Sequence, residues 1–311
     1  MGSGKGYGKT ILFGEHFVVY GLPAIASALA AFTAADVEVV KGKGWTVNDK
    51  RPATPGYKEK KYSEAMQSIN NVISHLDADI ENQKLEIIFA GDLVAASGVG
   101  ASAAQCTSLA RALSETFNLN LDDEKINEAA YEGEKAYHGT PSGIDNTAST
   151  YGGLIWFVKN LSGGKNTMDL LKTPRKMPLV IANSGITAST TEVVADVRRF
   201  KEKNPRKFEE ILSKYKRIAE RAKKALLEGD IATVGDLMNE NHKLLQQITV
   251  SGAVNDELVG IALENGAIGA KLTGTGRGGL VMGLAENEEI QEKIANAIEK
   301  KGYTVWKTMI G

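Results

Sequence analysis

The stretch Gly98-Val-Gly-Ala-Ser-Ala-Ala104 constrains this chain more than any other. Its glycines lack the Cβ that would keep backbone amides away from a ligand, and the apolar run Ala103 to Phe117 that follows is helix-forming. A glycine-lined turn feeding a helix start offers unpaired N–H groups at the positive end of a dipole, which suits phosphate. Turns of this composition also join strands to helices for packing alone, so the loop by itself names no function.

A phosphate loop needs a frame, and the rest of the chain supplies an alternation of strands and helices. Thr10 to Phe13 reads as a short strand, Gly14-Glu15-His16 as a turn, and Phe17 to Tyr20 as a further β-prone run. Ala24 to Val40 is small and apolar before it takes strand character, and the Lys-, Gly- and Pro-rich stretch 41–62 reads as an exposed loop or hairpin. Apolar spacing through Met66, Ile69, Val72, Ile73 and Leu76 predicts a helix over 63–76, and Leu85 to Phe89 a strand. Asp122 is placed to cap a helix running to about His138, which sets Glu134 and His138 one turn apart on one face. Tyr151 to Val158 reads as a strand and 161–172 as a loose surface connection. Beyond Pro174 come a buried-type strand at 177–182 and helices at 188–200, 208–227, 231–248 and 255–264. The second glycine-dense run, Gly269 to Leu280, precedes a strand; a helix at 287–300 and a strand at 303–309 close the chain.

Several function classes are excluded early. The 37 basic residues are balanced by 38 acidic ones, so there is no global basic field for nucleic acid or an anionic membrane. No run approaches the ~18 to 20 apolar residues of a membrane span, and no signal peptide opens the chain, so a cytoplasmic protein is expected. Cys106 is the single cysteine and falls on the core side of its helix, which predicts a buried apolar residue rather than a nucleophile. The glycine- and lysine-rich start tempts a Walker A reading, but Ser3 stands where that motif needs glycine.

Three features taken together are more informative: Gly8-Lys9 with Gly14-Glu15-His16, the loop 98–104, and the run Lys271 to Gly279. In this order and spacing they resemble the three motifs of the GHMP kinase family, over essentially the whole chain. Gly14-Glu-His-Phe-Val-Val-Tyr-Gly21, Gly133 to Asn146 and Tyr151-Gly-Gly153 are similar to the branch of that family whose acceptor is mevalonate. The resemblance implies an α+β GHMP kinase fold. Its N-terminal ATP-binding domain, 1–173, would be ribosomal-protein-S5-domain-2-like with a left-handed crossover, and its C-terminal domain, 174–311, ferredoxin-like. It also implies transfer of the ATP γ-phosphate to the 5-hydroxyl of mevalonate, with ATP and Mg²⁺ required. By motif, Asp145 would be the base and Lys9 its cationic partner, and Ser102 and Glu134 would hold Mg²⁺. Gly98, Val99, Gly100, Ala101, Ser102, Ala103, Thr190, Gly274, Thr275 and Gly276 would contact ATP. Lys9, Glu15, His16, Ser142 and Asp145 would place the acceptor. The partners implied are small molecules, with no nucleic acid and no membrane, and a homodimer is the candidate assembly.

These residue types suit the chemistry. An alcohol is a poor nucleophile, and a carboxylate in reach with an ammonium beside it eases its deprotonation. Magnesium takes hard oxygen ligands, and phosphoryl transfer chiefly needs positioning and charge neutralisation. Each position also admits a plainer use. Lys9 could be solvated, Glu134 could pair with Lys135 or Lys125, and Asp145 could cap the next helix. His16 could be a structural histidine and Thr190 only a helix cap; His138 and His242 are expected to be structural. The chain departs from the family pattern in carrying Tyr7 before Gly8-Lys9, Leu93-Val94 before the loop, Ala101 within it and Arg277 in the third motif. A sugar kinase of the same family, or a nucleotide sensor without turnover, are the competing readings.

Overall fold

In the computed structural model, which describes residues 1–95 and 98–311, the chain divides into two compact units. The first comprises Met1–Lys9 and Ala28–Gly152, the second Thr10–Ser27 and Gly153–Gly311. Strand β1 (Gly2–Phe13) pairs with β2 (Ala24–Val40), and each strand contributes residues to both units.

In the first unit β3 (Gly44–Asp49) runs parallel to β4 (Lys84–Gly91), which is antiparallel to β2. A short helix α1 (Tyr57–Lys60) and α2 (Tyr62–His75) make the β3-to-β4 crossover. Helices α3 (Ala101–Thr116), α4 (Asp123–His138) and α5 (Ile144–Tyr151) follow. Val37, Leu85, Ile87 and Phe89 from the strands meet Ile69, Val72, Cys106, Leu109, Leu113 and Ile126 from the helices in one core. Asp122 accepts from Lys125 N at 2.9 Å and so caps α4 as its position suggests.

The N-terminal segment differs from expectation: the strand begins at Gly2 rather than Thr10. Alternate residues are glycine, and this face lies on the backbone of α3. A Cβ at Gly2 would stand 2.5 Å from Ala112 O, at Gly4 2.3 Å from Ser108 O, and at Gly6 2.2 Å from Ala104 O. The period-2 glycines thus match successive turns of the helix beneath them, a signal that strand propensity alone assigns to a loop.

Three further stretches depart from the sequence reading. Residues 41–62 hold β3 and α1; β3 alternates exposure and shows only Trp45 and Val47 to the core, so its apolar signal is thin. The loose connection expected at 161–172 contains β6 (Thr167–Leu171), whose only buried residue is Leu171. The β-prone run Phe17 to Tyr20 ends in a 3-10 turn over Val18–Tyr20, because Phe17 N and Val18 N both bond Gly14 O. Phe17 is held there by stacking on Tyr215, ring centroids 4.1 Å apart.

The second unit contains β5 (Leu154–Val158) paired with β6, and then β7 (Met177–Asn183), α6 (Thr190–Lys203) and α7 (Pro205–Glu228). It continues through α8 (Ile231–Gln247), α9 (Ala253–Glu264), β8 (Gly269–Thr273), β9 (Leu280–Leu284), α10 (Glu288–Glu299) and β10 (Thr304–Ile310). Strands β7 to β10 form an antiparallel sheet in the order β10-β7-β9-β8. Numbered within that sheet this is the 4-1-3-2 order of a ferredoxin-like layer, as expected.

Candidate active site

In the first unit the glycine loop ends where α3 begins. Gly98 and Gly100 take φ of +80° and +77°, a left-handed geometry that costs glycine nothing. Gly100 is the N-cap residue of α3, and among the described residues no side-chain cap hydrogen bond is made there. Lys9 N donates to Val99 O at 2.7 Å, and a Cβ at Gly100 would lie 2.8 Å from Lys9 Cγ. The loop is therefore glycine partly because the Lys9 stem lies across it.

That stem delivers the Lys9 ammonium to Asp145, with Nζ 3.1 Å from Oδ1. Lys9 is 5% exposed, not solvated. Asp145 sits in the first turn of α5, whose N-cap is Gly143, so the carboxylate is not spent on capping. Ser142 is beside it and its hydroxyl accepts from Ile144 N at 3.4 Å. The neighbouring acid is Glu134, 1% exposed, on α4. Its supposed surface partners are engaged elsewhere: Lys135 donates to Glu132 and Lys125 to Glu128. Glu134 instead hydrogen-bonds the Ser102 hydroxyl, and its Oε2 lies 3.7 Å from His138 Nε2. Its other oxygen, Oε1, is buried and has no hydrogen-bond partner among the described residues. Burial and the negative charge of Asp145 push the Glu134 carboxyl up to about 8, against the opposing pull of Ser102 and Lys9.

The start of α3 is braced from below by a residue the sequence reading passed over. Arg51, buried, donates to Asp49, to Gln105 Oε1 at 2.6 Å and to Ala101 O at 3.3 Å. It lies in a Lys- and Pro-rich stretch whose composition suggests solvent, and only the isolated acid two residues before it hints otherwise. Cys106 is buried against Ser68 Oγ at 3.1 Å, and burial pushes its thiol far up, which makes it the inert residue expected.

The second unit gathers the remaining motif residues. His16, at φ +61°, bonds Thr275 O through Nε2 at 2.8 Å. A carbonyl only accepts, so Nε2 carries the proton. Desolvation lowers the ring's pKa, which leaves Nδ1 of the neutral ring as an acceptor. Glu15 is ion-paired with Lys271, which is wholly buried on β8 and also donates to Leu272 O at 2.7 Å. Burial lowers the Lys271 pKa against the opposing pull of Glu15. Lys271 was legible only as one charge in an otherwise small and apolar strand. Ile11 N donates to Thr273 Oγ1 at 3.2 Å, and Thr273 Oγ1 donates to Ile11 O at 3.0 Å, fixing the approach to the Glu15 turn against β8. Thr190 is the first residue of α6 while Ser189 is its cap, and the Thr190 hydroxyl lies 2.7 Å from that of Thr275. Gly274 and Gly276 flank Thr275 at φ +86° and +84°. His242 is held structurally, with Nε2 3.1 Å from Asp256 and Nδ1 accepting from Leu272 N.

Each unit thus carries a glycine turn: one before α3 beside the Lys9–Asp145 pair in the first, and one around Thr275 in the second. Residues 65–153 match the GHMP kinases N terminal domain, and residues 222–304 match the GHMP kinases C terminal region. The chain belongs to the GHMP kinases, enzymes that phosphorylate small molecules. Its relatives over nearly full length are mevalonate kinases: that of Pyrococcus furiosus is 33% identical across 97% of this chain and 94% of its own. That of Thermococcus gammatolerans is 34% identical with the same coverage. Among solved structures, the L. major mevalonate kinase in complex with R-mevalonate superposes with a TM-score of 0.94 at 41% identity, covering 100% of this chain and 96% of that one. The Lactococcus lactis galactokinase, at 19% identity and a TM-score of 0.77, shares the fold; the alignment covers 100% of this chain and 93% of that one. Among the described residues no helix is long and apolar enough to cross a membrane.

Proposed function

We propose that this enzyme transfers the γ-phosphate of ATP to the 5-hydroxyl of (R)-mevalonate, in the cytoplasm, as a step toward isoprenoids. The observation that carries the reading is the Lys9–Asp145 pair at 3.1 Å, with the Lys9 stem lying over Gly100 of the anion loop. Asp145 takes the proton from the acceptor hydroxyl as its oxygen attacks the γ-phosphorus and ADP departs. Lys9, ion-paired with Asp145, offsets charge developing on the attacking oxygen. The amides at the start of α3 and the residues Gly98 to Ala103 hold phosphate, as do Thr190, Gly274, Thr275 and Gly276 in their unit. His16 Nδ1 offers an acceptor to a substrate hydroxyl, and Glu15 and Ser142 complete the acceptor contacts. Residues 1–173 act as the nucleotide-binding half and 174–311 as the C-terminal half.

The donor set also fits a magnesium ion. Ser102 and Glu134 are hard oxygen ligands, and Glu134 Oε1, buried and without a partner among the described residues, belongs to a carboxyl pushed up to about 8 despite the pull of Lys9. When bound, Mg²⁺ would neutralise phosphate charge. Among the described residues no cluster of three or more acidic, histidine or cysteine side chains forms a closed cage, in keeping with an ion held mainly by phosphate and water.

A coupled assay with mevalonate, galactose and phosphomevalonate tests the acceptor, and turnover with either of the latter alone would refute it. Asp145→Asn is expected to bind ATP normally while kcat falls by about 10²- to 10⁴-fold. Retained turnover in that variant would remove Asp145 from the role of base.

A further inference from the structure

In the glycine turn Gly274-Thr-Gly-Arg-Gly-Gly279 one residue is not small, Arg277, and its backbone is held at φ +51°. A non-glycine residue in this region is uncommon, and glycines at 276 and 278 show how cheaply the turn could be made. The side chain accounts for the exception. Arg277 Nε donates to Thr249 O at 2.9 Å, one terminal nitrogen donates to Thr249 Oγ1 at 3.1 Å, and the other is ion-paired with Asp196 on α6. Arg277 N also donates to Val250 O at 2.9 Å. Thr249 is itself an outlier at φ +65°, which a β-branched residue rarely adopts. Two strained residues therefore bond each other, the pattern expected where local strain is retained for function.

What the guanidinium holds is a thinly anchored helix. Only Val193 and Val197 of α6 are buried, and its N-terminal residue is Thr190. The opposite side of the turn is rigid on its own account. The buried Asn255 side chain accepts from Gly278 N at 2.8 Å and donates to Gly278 O at 2.7 Å. Helix α6 is thus tied to a fixed turn at two places, Thr190 to Thr275 and Asp196 to Arg277. Asp196 also pairs with Arg199 one turn along α6, but that contact is internal to the helix and anchors it to nothing.

We propose that Arg277 is a positioning residue: by clamping Asp196 it holds the first turn of α6, and so the Thr190 hydroxyl, against the glycine turn around Thr275. The part concerning catalysis rests on the phosphate-contact role proposed for Thr190. A guanidinium committed to Asp196 and Thr249 acts through α6 and not as a phosphate ligand.

Arg277→Gly suits the test, because glycine accepts the local φ and the turn keeps its shape. Hydrogen exchange reads the clamp without any substrate. Amides at 191–194 should exchange at least about fivefold faster in Arg277→Gly and in Asp196→Asn, with those of α8 unchanged. Kinetics read the consequence. kcat should fall about tenfold in each variant with little change in the KM for mevalonate, and the double variant should be no worse than the poorer single one. Thr190→Val should cost less in the Arg277→Gly background than in the parent. Unchanged exchange at 191–194 would overturn the clamp whatever the activity. A loss confined to Arg277→Gly, with raised KM for ATP and Asp196→Asn normal, would overturn it in favour of direct phosphate contact. Faster exchange in a parent inactive toward mevalonate would leave the clamp standing and refute the substrate reading.

Discussion

Glu134 should make the ligand-free enzyme less stable as the pH rises, and Glu134→Gln should remove that dependence. The carboxyl has an ordinary value of 4.5 and is pushed to about 8 in the folded protein, chiefly by burial and then by the charge of Asp145. Between those two values the folded state binds a proton that the unfolded chain has released, so stability falls as pH rises through this window and levels off above about 8. Each pH unit inside the window is worth ~1.4 kcal/mol, and the whole span about 5 kcal/mol. A glutamine has the shape of the protonated acid and no charge to lose. The variant's stability advantage over the parent should therefore grow by roughly 3 kcal/mol from pH 5 to pH 7 and flatten above pH 8.

Cys106 supplies the assay. It is the only cysteine in the chain and lies in the core of the same unit as Glu134. Its reaction with dithiodipyridine in urea, normalised to the denatured chain at each pH and run in EDTA, reports the opening of this unit alone. A gap between variant and parent that stays constant within about 1 kcal/mol across this range would refute the assignment of a buried, proton-holding carboxyl. So would a gap that shrinks as pH rises. Magnesium with ATP should lift the parent's stability at pH 8 and leave the variant's nearly unmoved.

Three further outcomes follow from packing and charge. Gly4→Ala puts a methyl 2.3 Å from Ser108 O and should cost about 1–3 kcal/mol or more by the same thiol assay. Gly260→Ala, whose Cβ meets nothing within 4 Å on α9, should instead stabilise by about 0.5–1 kcal/mol in a urea melt. Lys271→Met removes the ammonium paired with the buried Glu15 carboxylate and should cost about 3–5 kcal/mol, with Lys271→Met/Glu15→Met recovering most of the loss; an additive double variant would contradict the pairing.

Sequence patterns were most legible where a single local cause decides the structure. The capped helix at 123–138 and the C-terminal alternation of strands and helices follow from side chains close in sequence. The motifs likewise pointed to Lys9, Ser102, Glu134 and Asp145, which the first unit gathers together. Long-range causes were not legible. The glycines at 2, 4 and 6 read as loop because the helix that demands them begins about a hundred residues later. Phe17 to Tyr20 reads as strand because nothing nearby announces the Tyr215 ring that stacks on Phe17. β6 was missed because a strand with one buried residue carries little alternation. Lys271 and Arg51 were passed over for a related reason. Glu15, which makes Lys271 a buried ion pair, is remote in the chain, and so are Gln105 and Ala101, which draw Arg51 inward from its nearby partner Asp49.

The two buried acid–base groupings differ in whether their charges balance. Glu15 and Lys271 are both fully buried and opposite in charge, so the pair is neutral and can be replaced as a pair at little cost. In the first unit one ammonium, Lys9, serves two carboxyls, Asp145 and Glu134, so the cluster is short of one positive charge whenever both are ionised. Bulk water does not reach Glu134 Oε1, which is buried. The shortfall is met by a proton at neutral pH, or by any cation that brings more charge than a proton. Neutralising Glu134 should therefore stabilise the fold while weakening whatever cation the site recruits. Neutralising Lys271 alone should destabilise the fold and, through the Glu15 turn that carries His16, lower activity as well. Opposite signs of stability and activity at the first position, and matching signs at the second, are the outcomes expected of an unbalanced and a balanced cluster.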